Sequence, residues 1–202
     1  ETALAGMAFD EQTFDENQSL RSRVLTRYKV ESTSVGSTNY PGIAVAERDA
    51  RPEKTVSITF DGGLALASLT TLVYDVPAAA DRKYFSHLNI KSKQSTHFAS
   101  VPVGAASAES LSWTAIESWF TSTPLATRSE TDYKYTAQGG DPYMNRGIIG
   151  MAMESRAVNP SNPSQILSKT QPVYDESNYL VTDYNCTLAG DLTNTWINPS
   201  TT

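Results

Sequence analysis

Residues Thr55 to Phe60 alternate cleanly: Val56, Ile58 and Phe60 point one way, Thr55, Ser57 and Thr59 the other. A side-chain period of two belongs to a strand with one face buried, so the chain must build a half-covered sheet. Asp61-Gly62-Gly63 follows directly and supplies residues that tolerate positive φ, which breaks the strand. Leu69 to Val76 resumes it with Leu72, Tyr74 and Val76 aligned, and Pro77, which has no N–H for a ladder, ends it. Upstream, Val24, Thr26, Tyr28 and Val30 share one face of a strand, with Leu25, Arg27 and Lys29 on the other. Further strands are expected at Phe85 to Ile90, Thr96 to Val101, Asp132 to Thr136, Ile148 to Glu154 and Tyr184 to Leu188. Many short strands separated by turn signals predict a sandwich or barrel.

One helix interrupts this pattern. Ser107 is placed to cap it, Glu109 sits in the first turn, and Leu111, Ala115, Ile116 and Trp119 recur at helical spacing before Pro124. Asn159-Pro160-Ser161-Asn162-Pro163 reads as a long polar turn. Residues Glu1 to Leu20 are polar and acidic and read as an extended arm outside the core, leaving 21–202 as one domain. The 202 residues suffice for a sizeable core.

Charge and composition narrow the function classes. A net charge of −6 argues against gripping nucleic acid by counterion release. The apolar stretches are too short for a membrane helix, and the first residues do not read as a signal peptide. A single cysteine, Cys186, excludes an internal disulfide and a multi-cysteine zinc site. It alternates with Tyr184 and Leu188, which reads as a small core residue rather than a nucleophile. His87 and His97 fall on different predicted strands without ligand spacing. The glycine pairs Gly62-Gly63 and Gly139-Gly140 lack the flanking glycines and lysine of a phosphate loop. Glu109, Glu117, Glu130 and Glu154 qualify as paired carboxylates for glycoside hydrolysis by residue type alone. Trp113, Trp119, Tyr133, Tyr135 and Tyr143 read as core and interface aromatics before a sugar platform. Arg21, Arg23, Arg27 and Lys29 form the only local basic cluster, a candidate contact for an RNA phosphate or for acidic groups of a neighbouring chain. No cofactor, metal, small-molecule substrate or membrane is expected.

Three stretches together resemble coat proteins of picorna-like viruses (order Picornavirales). Ser19-Leu20-Arg21-Ser22-Arg23-Val24-Leu25-Thr26-Arg27-Tyr28, preceded by Asp15 and Glu16, is similar to the opening segment of such coats in insect and marine members. Val56 to Gly63 followed by Leu69 to Pro77 resembles the family's paired central strands. His87-Leu88-Asn89-Ile90, then Gln94 to Val103, resembles its passage from a His-containing strand into a Val-Pro ending. The short length is also similar to the small coat proteins of comovirus-like plant members. The Asp-Asp-Phe triplet that some relatives carry is absent, so no catalytic residue is carried over.

The resemblance implies an all-β fold: an eight-stranded antiparallel jelly-roll sandwich with one or two short helices and an extended N-terminal arm. It implies a structural subunit, not an enzyme, that assembles with related coat chains into an icosahedral, pseudo T=3 capsid around positive-strand RNA. The location is then the virion, with assembly in the host cytoplasm and genomic RNA at the inner surface. Such a role also gives a use to the arm, which is too poor in apolar residues to fold alone but can order against neighbouring subunits. A secreted β-sandwich module binding carbohydrate or mediating adhesion is the alternative.

Overall fold

The computed structural model describes residues 7–31, 48–75, 89–134 and 150–173. Two compact units divide the chain, Glu1–Thr131 with Arg156–Lys169, and Asp132–Ser155 with Thr170–Thr202. The first holds most of the strands and the core. Of the expected strand Phe85 to Ile90, residues 85–88 lie outside the described residues, as does the whole of Tyr184 to Leu188.

The fold is all-β, with nine strands in one antiparallel sheet among the described residues. They are β1 (Asp10–Phe14), β2 (Leu20–Glu31), β3 (Arg48–Asp61), β4 (Leu64–Tyr74), β5 (Ile90–Thr96), β6 (Ala99–Val101), β7 (Leu125–Tyr133), β8 (Ala152–Asn159) and β9 (Asn162–Thr170). The order is β1-β2-β3-β4-β5-β7-β8-β9, with β6 also on β4. Apart from β6, which pairs back on β4 so that β5 meets β7, neighbours in the sheet are neighbours in the chain. Jelly-roll crossings are not among the described pairings. What they show is a meander, the arrangement reached with the shortest connections.

Sequence explains the central hairpin. Asp61 pairs with Leu64, leaving Gly62 and Gly63 as a two-residue turn with φ of 53° and 87°. Positive φ at both centres matches the twist of the flanking strands and favours glycine. Pro52 lies within β3, opposite Tyr28, where the β2–β3 register shifts. A residue that cannot donate to the ladder is accommodated at such an irregularity.

Two short helices, α1 (Val103–Ala106) and α2 (Trp113–Ser118), lie between β6 and β7. The expected helix start at Ser107 needs correction. Ser107 ends α1, where its Oγ donates to Val103 O (2.8 Å). The cap of α2 is Ser112, whose Oγ accepts from the Ala115 N–H (3.2 Å). The Arg23 guanidinium donates to Ala106 O (2.9 Å) and Ala108 O (2.7 Å). These carbonyls would otherwise accept from later N–H groups, so the arginine satisfies a helix end and frees the chain to turn.

The core lies on one sheet face. Leu25 of β2, Val56, Ile58 and Phe60 of β3, Ala65 and Ala67 of β4, and Ala99 and Val101 of β6 are buried with Ala106, Ile116 and Phe120. Alanines on β4, β6 and α1 allow close approach, and full burial of Ile58 or Ile116 is worth about 1.5–3 kcal/mol. The buried face of β2 carries Arg23 and Leu25 rather than the Val24–Val30 set.

The described part of the N-terminal arm is not free. Asp10–Phe14 pairs with β2 while remaining exposed throughout. Strand β9 was not legible in the sequence. Its stretch of 162–170 holds only two large apolar residues, adjacent to each other, and it begins inside the polar turn expected over Asn159 to Pro163, which the structure shortens to Pro160 and Ser161.

Candidate interaction surface

The basic cluster on β2 works largely as a set of internal clamps. Arg21 Nη2 meets Asp15 Oδ2 at 2.9 Å, and Asp15 Oδ1 also accepts the backbone N–H of Asn17 (2.9 Å) and Ser19 (2.8 Å). The N–H of Ser19, foremost among these contacts, holds the Asp15 carboxyl below its ordinary 3.8. Arg23 is 1% exposed and donates to both Asp10 oxygens, at 2.9 and 2.6 Å. That bond is the main reason Asp10 also titrates below 3.8. A buried guanidinium is tolerated only when its donors are satisfied, and here a β1 carboxylate and two carbonyls do so.

Arg27 reaches Glu53 (3.1 Å) and Glu117 of α2 (3.2 Å), and Lys54 reaches the same Glu117 oxygen at 2.7 Å. The Lys54 hydrogen bond leads in holding Glu117 below 4.5. Lys29 lies exposed on the same strand. Three of the four predicted contact residues therefore pin the arm and α2 to β2. The partners escaped sequence reading because they lie up to 90 positions away and no local spacing marks them.

Glu117, Glu130 and Glu154 each bond different partners. Burial acts to raise Glu130, but hydrogen bonds from Arg156 and Arg128 outweigh it and leave the group below 4.5. Their contacts with it are 2.9 and 2.7 Å. Glu117 and Glu130 are thus held ionised, the opposite of what a general acid needs. Glu109 is exposed and Glu154 bonds Gln171. Trp113 and Trp119 are half-buried against the core cluster. His97 is exposed, with its backbone N–H donating to Pro124 O at 3.0 Å. His87, Tyr135, Tyr143, Gly139-Gly140 and Cys186 lie outside the described residues. Among the described residues, no group of three or more His, Cys, Asp or Glu could hold a metal ion, and no helix is long and apolar enough to cross a membrane. A shallow cleft of about 280 Å³ opens beside the β3–β4 turn, between Leu20, Arg21, Phe60, Asp61 and Val103.

The opposite face of the sheet presents a different chemistry. Pairing register aligns Thr26, Thr55, Thr70, Ser95 and Thr127 in one row across β2, β3, β4, β5 and β7. The Thr70 and Ser95 hydroxyls meet at 3.1 Å. A second row runs Thr13, Ser22, Thr59, Leu66 and Ser100, and a third includes Val24, Ser57 and Ser68. Ser57, Thr59, Leu64, Leu66, Ser100 and Thr127 are exposed, and Leu66 is 44% so. The alternation of Thr55, Ser57 and Thr59 signalled one strand of this face. Only the register assembled the rows.

Compared with known proteins, the chain matches no family model, no curated protein and no solved structure.

Proposed function

We propose that this chain is a structural subunit that self-associates, and that its sheet surface rather than a reactive pocket is its working part. The observation that carries the reading is the Ser/Thr-rich array, partly exposed and partly half-buried, across the face opposite α1 and α2, where Glu11 and Lys93 also lie. Hydroxyl side chains lose little rotamer freedom when covered, and the centres of interfaces are depleted in charge. The clamped arginines and ionised glutamates supply rigidity, which repeated docking against the same neighbour requires.

The specific form we propose is a coat subunit of the picorna-like kind, assembling with related chains around positive-strand RNA within a virion. This rests on the three sequence stretches given above and on the surface character, not on jelly-roll order. The carbohydrate-binding alternative is less well supported, since Trp113 and Trp119 pack half-buried against the core.

Size-exclusion chromatography with light scattering, and electron microscopy of native material, test the proposal. Large, uniform particles or discrete oligomers are expected. A strictly monomeric protein at all concentrations overturns it.

A further inference from the structure

We propose that the sheet face opposite α1 and α2 packs on the same face of a second copy, in a two-fold dimer where Glu11 of each copy meets Lys93 of the other. The inference rests on the self-association reading and names its surface and its partner. Both charges belong to this face. Glu11 stands opposite Val24, which alternates with buried Arg23 and Leu25. Lys93 stands opposite Leu72, which shares the side of Leu66, away from buried Ala65 and Ala67. Both are exposed, and neither has an ion pair or a side-chain hydrogen bond among the described residues. In this they differ from Arg21, Arg23 and Arg27, whose charges are spent inside the subunit.

The occupant follows from where the two charges stand. β1 and β5 lie on either side of β3, each separated from it by one strand. The row through Glu11 crosses β4 at Ser68, the row through Lys93 crosses it at Leu72, and the row midway holds Thr55 and Thr70. Thr55 of β3 is therefore the midpoint between them. With strands about 4.8 Å apart and about 3.3 Å per residue, the two charges stand roughly 23 Å apart. A two-fold axis in the plane of contact, through Thr55 and across the line joining the charges, lays each Glu11 over the Lys93 of the other copy. An isologous contact demands this self-match, residue for residue. An axis along that line would instead set Glu11 on Glu11 and Lys93 on Lys93, which like charges oppose. Stacked sheets lie about 10 Å apart, a gap that extended Glu and Lys side chains bridge together. Between the charges, short hydroxyls lose little rotamer freedom when covered. Leu66, 44% exposed, and Phe98, 68% exposed and next to β6, add apolar area. Five strands by some six residues offer on the order of 500 Å² per copy, below a standard interface, so the dimer forms with rising concentration.

Sedimentation equilibrium of the full chain over a range of concentrations tests this, with Glu11→Lys, Lys93→Glu, the double exchange and Ser57→Arg as variants. The parent should show a monomer–dimer equilibrium. Each single exchange acts at two symmetric contacts and should weaken the dimer by roughly tenfold, and the double exchange should restore it. Ser57 is exposed on the same strand as Thr55, so Ser57→Arg should abolish the dimer with the melting temperature unchanged. If the parent associates and all variants do so equally, another surface is responsible and the face proposal fails while self-association stands. If Ser57→Arg blocks association but the charge exchanges change nothing, the face is used in another orientation and the Glu11–Lys93 dimer is equally overturned. A parent that stays monomeric at every concentration ends both readings.

Discussion

The β3–β4 hairpin and strand β9 are both antiparallel strands of one sheet, yet they live in opposite surroundings. Val56, Ile58, Phe60, Ala65 and Ala67 of the hairpin are buried, while every residue of β9 is exposed. The difference shows that strand formation and burial are separate events here. The hairpin is specified by its own alternation and turn, and the helices cover it. Strand β9 exists because a neighbour offers backbone partners, and such a strand contributes little to global stability.

The contrast can be broken most directly by charge insertion. Phe60→Asp should prevent cooperative folding, because it buries an unpaired carboxylate, whereas Leu167→Asp should leave thermal melting intact. A cooperatively melting Phe60→Asp protein would mean that the buried face is assigned wrongly. Truncation gives the next largest effect. Ile116→Ala should cost about 2–4 kcal/mol and Ile166→Ala less than about 0.5, read as urea midpoints. Similar costs at the two sites would show that β9 is covered in solution.

Arg23→Leu probes the clamp between arm, sheet and α1. It strands two carbonyls and frees Asp10, and a loss of about 2–4 kcal/mol is expected in denaturant unfolding. For the same reason, removal of residues 1–20 should destabilise the domain as well as impair assembly, since Asp10 leaves with the arm. Unchanged stability of that truncation would show that Asp10 is dispensable to Arg23.

Acid stability sharpens the comparison further. Asp10, Glu117 and Glu130 all titrate below their ordinary values in the folded protein. The unfolded chain therefore binds more protons, so their contribution is fully present above the ordinary carboxylate range. It is lost as pH falls below about 4.5 through the lower folded values. Urea midpoints should fall through this window, and Glu117→Gln should flatten part of the decline. A flat profile would show that the clamps are not formed. Gly63→Ala should cost about 1–2 kcal/mol, from backbone strain at φ of 87° alone, since an added Cβ meets no atom there. An unchanged thermal midpoint would argue against the positive-φ turn.

Much of the fold was legible in particular residues. Thr55 to Phe60 announced a half-buried strand, Gly62-Gly63 its turn, and Ile116 the helix contact. The start of α2 was misplaced because Ser107 and Ser112 are equally good caps locally. Only Arg23, more than 80 positions distant in the chain, selects where α1 stops. The basic cluster was visible but its use was not, because Asp10 and Glu117 approach it only after folding.

The amino-acid sequence alone determined an all-β body with alternating strands, a glycine-dependent hairpin and a surface rich in Ser and Thr. These properties follow from side-chain period, backbone freedom and composition, which act over a few neighbouring residues. The tertiary structure alone decided that the strands follow one another as a meander, that arginines clamp inward, and that separate hydroxyls fall into rows. Those outcomes depend on pairing register and on contacts between distant positions, and no short-range pattern encodes either.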